Sequence, residues 1–229
     1  VAAVLKEAAE WDAQKWKIFK LKLGSKNDEA VLKALRDQYP DKTIRVDANT
    51  AWSYEESRKR LPVLEKLEVE FVEQPMPADK LSDMRELQKE FEIPIILDES
   101  VLDTDDAMRV IREEAGDGIN IKLNKCGGPY EARRIAKIAK DHDWKVMMGC
   151  MLETRLGCAT GAAFAGLLDY ADLDGYVLMT NDPFSGFQIK NGLVETPEKP
   201  GAGVTASAAI KKFAPLATAS HEMSPQEGR

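Results

Sequence analysis

Residues 93–100 read Ile-Pro-Ile-Ile-Leu-Asp-Glu-Ser, an apolar run that ends at two carboxylates. A short, uninterrupted apolar run of this kind is typical of a strand buried on both faces, as in a parallel sheet. Asp98 and Glu99 then lie where the strand emerges, and in a parallel barrel the emerging strand ends form the active-site face. Taken alone, the segment fits an ordinary strand followed by a polar turn better than an active-site strand.

The same pattern of an apolar or alternating segment followed by a polar residue recurs along the chain. Its interval is roughly 25 residues, which is the length that one strand, one helix and two short loops require. A repeated strand–helix unit predicts an α/β barrel. The seven predicted strand segments are 18–24, 44–49, 69–75, 93–100, 118–125, 145–150 and 171–175.

Composition narrows the class of protein and its partners. The chain has 229 residues, of which 44% are hydrophobic and 31% charged, as in an ordinary globular domain. The net charge is −7, and the basic residues are interspersed with acidic ones, which argues against nucleic acid as a partner. We see neither an apolar run long enough to span a membrane nor a signal peptide. Three cysteines without zinc-like spacing fit a reducing cytosol, so we expect a cytoplasmic protein.

The start of the chain leaves the predicted barrel incomplete. Residues 1–16 have a helical pattern, and the seven predicted strands fall one short of a closed barrel. We therefore expect that at least one strand precedes Val1. We assign residues 1–204 to a single barrel domain, incomplete at its N-terminus, and residues 205–229 to a C-terminal helix and tail. The barrel exterior could support a homo-oligomer, although nothing identifies an interface.

Three carboxylates, Asp47, Glu73 and Asp98, stand at the ends of three consecutive predicted strands. Brought together in the mouth of a barrel they would repel one another, so they need a cation. An all-oxygen ligand set suits a hard divalent ion, Mg²⁺ before Mn²⁺. We expect Asn49 and Glu99 to hydrogen-bond to these ligands, although either could instead bond a turn backbone.

Lysines flank the predicted metal site. Lys20 and Lys22 alternate with apolar residues and therefore share one face of a strand, while Lys122 ends a strand on the opposite side of the barrel. A lysine base must be neutral part of the time, so its pKa must fall from about 10.4 towards roughly 7–8. Two such bases on opposite faces of a substrate α-carbon could epimerise it, with the metal stabilising the enediolate. We expect Lys125, in contrast, to extend into solvent.

Several motifs together resemble the barrel of the enolase superfamily, in its muconate-lactonizing subgroup. The resemblance covers about residues 1–204. It implies a modified TIM barrel of the (β/α)₇β type, preceded by an N-terminal α+β capping domain that is absent from this chain. The motifs are Lys20-Leu21-Lys22, Asp47-Ala48-Asn49, Glu73-Gln74-Pro75, Asp98-Glu99-Ser100 and Lys122-Leu123-Asn124-Lys125-Cys126-Gly127-Gly128.

The resemblance also implies roles for individual residues. Lys22 and Lys122 would be the two acid/base residues, and Lys20 would contact the substrate carboxylate and assist Lys22. The implied Mg²⁺ ligands are Asp47, Glu73 and Asp98.

The last predicted strand narrows the reaction. Asp172-Leu173-Asp174 resembles the Asp-x-Asp of dipeptide epimerases, in which two carboxylates hold the substrate's α-ammonium. Residues 149–154 resemble the preceding segment of that group and place Cys150 in the substrate site. The two aspartates could instead merely end a strand and cap a turn.

The leading hypothesis is a Mg²⁺-dependent isomerase, a dipeptide epimerase that works by 1,1-proton transfer at the C-terminal residue of a dipeptide through an enediolate. The first alternative is a cycloisomerase or o-succinylbenzoate synthase of the same superfamily. The second is a non-catalytic barrel that binds a metal or a peptide.

Overall fold

Seven parallel strands form one sheet in the order β1 to β7 in the computed structural model, which describes residues 1–195 and 200–211. Neighbours in the sheet are neighbours in sequence, and each pair is parallel. The seven predicted strands and the α/β class are confirmed, although each strand is shorter than its predicted segment. The strands are β1 Ile18–Lys22, β2 Thr43–Asp47, β3 Val72–Glu73, β4 Ile95–Leu97, β5 Gly118–Ile121, β6 Lys145–Met148 and β7 Tyr170–Ala171.

Helices connect the successive strands, as the repeat predicts. From the sequence, residues 155–168, rich in alanine and glycine and poor in charge, predict one helix; this prediction is wrong in its second half, because the α-helix ends at Ala162 and a separate 3₁₀ turn covers Ala165–Leu167. Gly166, a poor helix former, lies in that turn. The helices are α1 Ala2–Ala13, α2 Asp28–Gln38, α3 Tyr54–Lys66, α4 Leu81–Glu90, α5 Thr104–Arg112, α6 Leu123–Cys126, α7 Pro129–Asp141, α8 Arg155–Ala162 and α9 Ala208–Lys211.

After β7 the chain forms a 3₁₀ turn at Gly175–Leu178 and two small antiparallel ladders. One ladder pairs β8 Phe184–Ser185 with β11 Thr205–Ala206, and the other pairs β9 Gln188–Lys190 with β10 Leu193–Glu195. The predicted C-terminal helix and tail over 205–229 are described only as far as residue 211. Residues 212–229 lie outside the described residues.

Apolar side chains pack on both faces of the sheet. On the outer face, strand residues such as Val46 and Leu97 pack against the helices. On the inner face, Phe71, Ile96 and Met147 form a separate small cluster with Tyr170. Since side chains alternate along a strand, the residue two places beyond each member of this inner cluster points to the same interior, one layer nearer the strand ends. Those residues include Glu73, Asp98 and Asp172. The strands therefore place a layer of polar groups next to the apolar cluster, at the C-terminal ends of the strands.

Side chains from the two edges of the sheet are in contact, which shows that the sheet is strongly curled. Lys20 of β1 lies 2.6 Å from Asp172, which directly follows β7. In the floor of the barrel, the Arg45 guanidinium lies between the Phe71 and Tyr170 rings, at 5.1 and 5.0 Å from their centroids.

A largely apolar cavity of about 610 Å³ lies between β1, α1 and the segment after β7. The expectation that a strand precedes Val1 stays a prediction. Among the described residues, no helix combines the length and the apolar character needed to cross a membrane.

Candidate active site

Three buried carboxylates lie close together at the C-terminal ends of β2, β3 and β4. Asp47 ends β2, Glu73 ends β3, and Asp98 directly follows β4; none is more than 2% exposed. One oxygen from each lies within 4.8 Å of the others. Three negative charges this close repel unless a cation is near, and an all-oxygen set of this size suits a hard divalent ion. We call these three residues the acid triad.

Lysine ammonium groups surround the acid triad. The Lys20 Nζ lies 2.7 Å from Glu73 Oε2, and the Lys22 Nζ lies 2.5 Å from Asp47 Oδ2. Lys122 approaches from the other side of the barrel, with its Nζ 2.6 Å from Asp98 Oδ2. The Lys22 side chain is 62% exposed at the rim, whereas that of Lys122 is 9% exposed. The structure therefore brings all three predicted lysines to the acid triad.

The expectation that Lys125 extends into solvent is wrong. Its ammonium donates to the Asp98 side chain and to the backbone carbonyls of Asp98 (2.6 Å), Val101 (3.2 Å) and Asn120 (3.2 Å). The strand ends at Ile121, and the short helix α6 begins two residues later. In a helical turn, residues three apart lie on the same side, so Lys125 lies on the same side as Lys122. In a continuing strand, residues three apart would point to opposite faces.

Asn120 is a site residue that the motif analysis missed. It is fully buried on β5, two places before Lys122, and its Nδ2 donates to Glu73 Oε1 at 2.8 Å. A side chain at Gly149 would clash with it, since a Cβ there would lie 2.5 Å from Asn120 Oδ1. A polar residue alternating with Lys122 along an otherwise apolar strand is the sequence signal that could have identified it.

The charges and hydrogen bonds of the acid triad favour the binding of a cation. Among the described residues, Asn120 Oδ1 is buried and accepts no hydrogen bond, and Glu73 Oε2 has the Lys20 ammonium as its partner, at 2.7 Å. Burial, with repulsion from Asp47 and Asp98, raises the pKa of Glu73 to about 7 against the opposing pull of Lys20. A buried oxygen that lacks a donor, beside a carboxyl that is hard to ionise, fits a divalent cation well.

Asp98 and Lys122 behave as a charged pair. Burial disfavours the ionised form of Asp98, but the nearby ammoniums of Lys125 and Lys122 outweigh it and lower the Asp98 pKa. For Lys122 burial likewise opposes the charged form, and the attraction of Asp98 raises its pKa overall. The Asp98 carboxylate therefore favours the ammonium form of Lys122.

Asp172 and Asp174 lie side by side near the end of β7. Burial and the charge of Asp172 raise the pKa of Asp174 to about 6. Burial acts in the same direction on Asp172, but Lys20 outweighs it and lowers the Asp172 pKa. Two adjacent carboxyls, one of them reluctant to ionise, make a natural partner for an incoming ammonium.

Three further predicted residues lie around these groups. The backbone N–H of Asn49 donates to Asp47 Oδ1 at 2.9 Å, and its side chain donates to Glu99 Oε1 at 3.2 Å. The neighbouring thiol of the buried Cys158, together with burial, raises the pKa of the Cys150 thiol. All the residues predicted from sequence thus gather at one end of the sheet, while their roles stay predictions.

Comparison with known proteins agrees with this arrangement. The L-Ala-D/L-amino acid epimerase of Maribacter sp. is 41% identical over 201 residues, which cover 86% of this chain and 58% of that protein. The o-succinylbenzoate synthase of Bacillus subtilis is 31% identical over 207 residues, covering 88% of this chain and 55% of that protein.

A solved structure has the same fold. The dipeptide epimerase from Methylococcus capsulatus, complexed with Mg and the dipeptide L-Arg-D-Lys, gives a TM-score of 0.85 at 34% identity, covering 90% of this chain and 60% of that one. The chain spans somewhat more than half the length of these relatives. Residues 3–210 match the family described as enolase C-terminal domain-like. The expected resemblance and barrel fold are confirmed, and the chain belongs to the enolase C-terminal domain-like family.

Proposed function

We propose that this chain carries the catalytic site of a Mg²⁺-dependent dipeptide epimerase. The observation that carries the proposal is the placement of two lysines on opposite sides of the acid triad. Lys22 reaches Asp47 from β1, and Lys122 reaches Asp98 from the end of β5. A substrate α-carbon held between them would be open to proton removal on one face and proton return on the other.

The acid triad would hold the metal, Mg²⁺ or alternatively Mn²⁺. Such an ion, when bound, supplies the positive charge that stabilises the enediolate of the substrate carboxylate. Lys22 and Lys122 each pair with a triad carboxylate in this structure. If a cation neutralised those carboxylates, one amine would accept the α-proton and the other would return a proton to the opposite face.

The groups beside the acid triad support a dipeptide as the substrate class. Asp172 and Asp174 would bind the free ammonium of a dipeptide, because two adjacent carboxyls are a natural partner for it. Lys20 lies between Asp172 and Glu73, at 2.6 and 2.7 Å, where it can contact the substrate carboxylate. The dipeptide in the Methylococcus capsulatus structure supports this substrate class.

Single-lysine variants test the mechanism. In D₂O, Lys22→Ala and Lys122→Ala should each lose α-proton exchange from one epimer of a substrate dipeptide and keep exchange from the other. The matched control is Lys89→Ala, a lysine exposed on α4, which should leave both exchanges intact. Exchange of both epimers at the wild-type rate in both active-site variants would contradict the proposal.

A second candidate is a cycloisomerase or o-succinylbenzoate synthase, favoured by the 31% identity to the Bacillus subtilis synthase. Substrates of that reaction class carry no ammonium. Activity that survives Asp172→Asn combined with Asp174→Asn would therefore support this candidate. Tight metal binding without any proton exchange in the full-length protein would instead favour a non-catalytic barrel.

A further inference from the structure

Gln74 is a fully buried polar residue next to Glu73 that the proposed chemistry does not use. Its backbone has φ +33°, in the left-handed region that residues other than glycine rarely adopt. A conformation of this kind costs energy and persists when the surrounding contacts enforce it.

Hydrogen bonds hold every polar group of Gln74. The side-chain Oε1 accepts from the backbone N–H groups of Asp98 (2.9 Å) and Ser100 (3.2 Å). The side-chain Nε2 donates to Ser100 Oγ (2.8 Å) and to the Met76 carbonyl (2.9 Å). A buried amide with both donors and both acceptor positions engaged cannot turn over without losing several bonds.

The backbone of Gln74 extends the same network in the other direction. Its N–H donates to the Ile96 carbonyl on β4, and its carbonyl accepts from the N–H of Thr50, each at 2.9 Å. Thr50 lies in the turn that follows Asp47. Gln74 is thus covalently joined to Glu73, bonded to the backbone of Asp98, and bonded to the turn after Asp47, so it contacts the segments that carry all three triad carboxylates.

We infer that Gln74 is the positioning residue that sets the spacing of the acid triad for a divalent cation. The inference rests on the proposed metal site. Mg²⁺ demands near-ideal octahedral geometry at about 2.0–2.1 Å, so small shifts of one strand end relative to another weaken its binding. Groups that hold metal ligands in place typically change metal affinity by about 10–100-fold when they are removed.

A purely structural role makes a different prediction. If Gln74 only satisfied a buried turn, its removal would lower the stability of the fold but leave the metal affinity of the folded protein unchanged. Metal affinity measured below the unfolding transition therefore separates the two roles.

The experiment titrates Mn²⁺ into the full-length protein and follows free Mn²⁺ by electron paramagnetic resonance. Gln74→Met keeps the length of the side chain and removes its hydrogen bonds, and we expect Mn²⁺ binding weakened by about tenfold or more. Ser100→Ala removes one partner of the Gln74 amide, and we expect a smaller loss of about threefold to tenfold. The control is Leu87→Ala, a buried apolar residue on α4, which lowers stability without touching this network.

Mn²⁺ binding by Gln74→Met at wild-type affinity would overturn the inference, as would an equal weakening in Leu87→Ala. If Gln74→Met does not fold, wild-type affinity in Ser100→Ala overturns it. A wild-type protein that binds no Mn²⁺ would overturn this inference and the proposed metal site together. Wild-type Mn²⁺ binding without dipeptide exchange would refute the epimerase proposal alone and leave the role of Gln74 standing.

Discussion

Replacing Glu73 by glutamine should make the metal-free protein more stable at pH 8 while removing its ability to bind a divalent cation. Glu73 is fully buried between Asp47 and Asp98, and its pKa rises from 4.5 to about 7. Each pKa unit corresponds to about 1.4 kcal/mol, so holding Glu73 ionised costs the metal-free fold on the order of 3 kcal/mol above pH 7. Glutamine has nearly the same shape and carries no charge.

The raised pKa of Glu73 determines how the stability of the wild-type protein changes with pH. Between pH 4.5 and pH 7, the folded protein holds a proton on Glu73 that the unfolded chain has released. The free energy of unfolding therefore falls as the pH rises through this window, and below it no penalty is present. The advantage of Glu73→Gln should be about 3 kcal/mol at pH 8 and less than about 1 kcal/mol at pH 5.

Urea unfolding in EDTA at both pH values, followed by circular dichroism, measures this difference. The matched control is Glu86→Gln, an exposed glutamate on α4, which should change stability by less than about 0.5 kcal/mol at either pH. Adding Mg²⁺ should stabilise the wild type and the control but not Glu73→Gln. A Glu73→Gln protein that is less stable than the wild type at pH 8, or equally shifted at both pH values, would refute the reasoning.

Three further predictions concern the same site. Mn²⁺ affinity, measured by paramagnetic resonance, should fall by up to about tenfold per pH unit below pH 7, because a proton on Glu73 competes with the metal; pH-independent affinity would contradict this. Lys125→Met leaves the buried Asp98 with Lys122 as its remaining cation and should cost about 1.5–3 kcal/mol in urea unfolding, whereas Lys140→Met, which breaks a more exposed pair with Asp169, should cost less than about 1 kcal/mol; similar losses would refute the difference. Asp172→Asn combined with Asp174→Asn should raise the KM for a dipeptide with a free amino group by about 10–100-fold at unchanged Mn²⁺ affinity, and an unchanged KM would remove the ammonium site from the account.

Much of the fold is readable from the sequence because a parallel barrel repeats one signal. Each buried strand appears as a short apolar run, and the polar residue at its end falls on the same rim as its neighbours. The segment 93–100 shows this pattern of an apolar run followed by a polar residue. Because the pattern recurs along the chain, the sequence alone predicts that Asp47, Glu73 and Asp98 lie close together. The alternation of Lys20 and Lys22 with apolar residues likewise puts both lysines on the inner face.

The features that the sequence does not predict depend on the backbone geometry after the strands end. Lys125 was misplaced because the strand ends at Ile121 and a helical turn begins, which changes the periodicity from two residues to about 3.6 within a few positions. The function of Gln74 depends on a left-handed backbone and on Ser100 in the turn after β4, which no local pattern shows. The end of α8 at Ala162 is equally hidden, because Ala163 and Ala165, which follow it, also favour a helix.

The central claim is that this site exchanges the α-proton of a dipeptide. The most direct test incubates the full-length protein with Mg²⁺ and a dipeptide library in D₂O and reads the products by mass spectrometry. We expect a gain of one mass unit confined to a subset of dipeptides that carry a free amino group, lost in EDTA. No gain for any dipeptide, in a protein shown to bind Mg²⁺, would contradict the account.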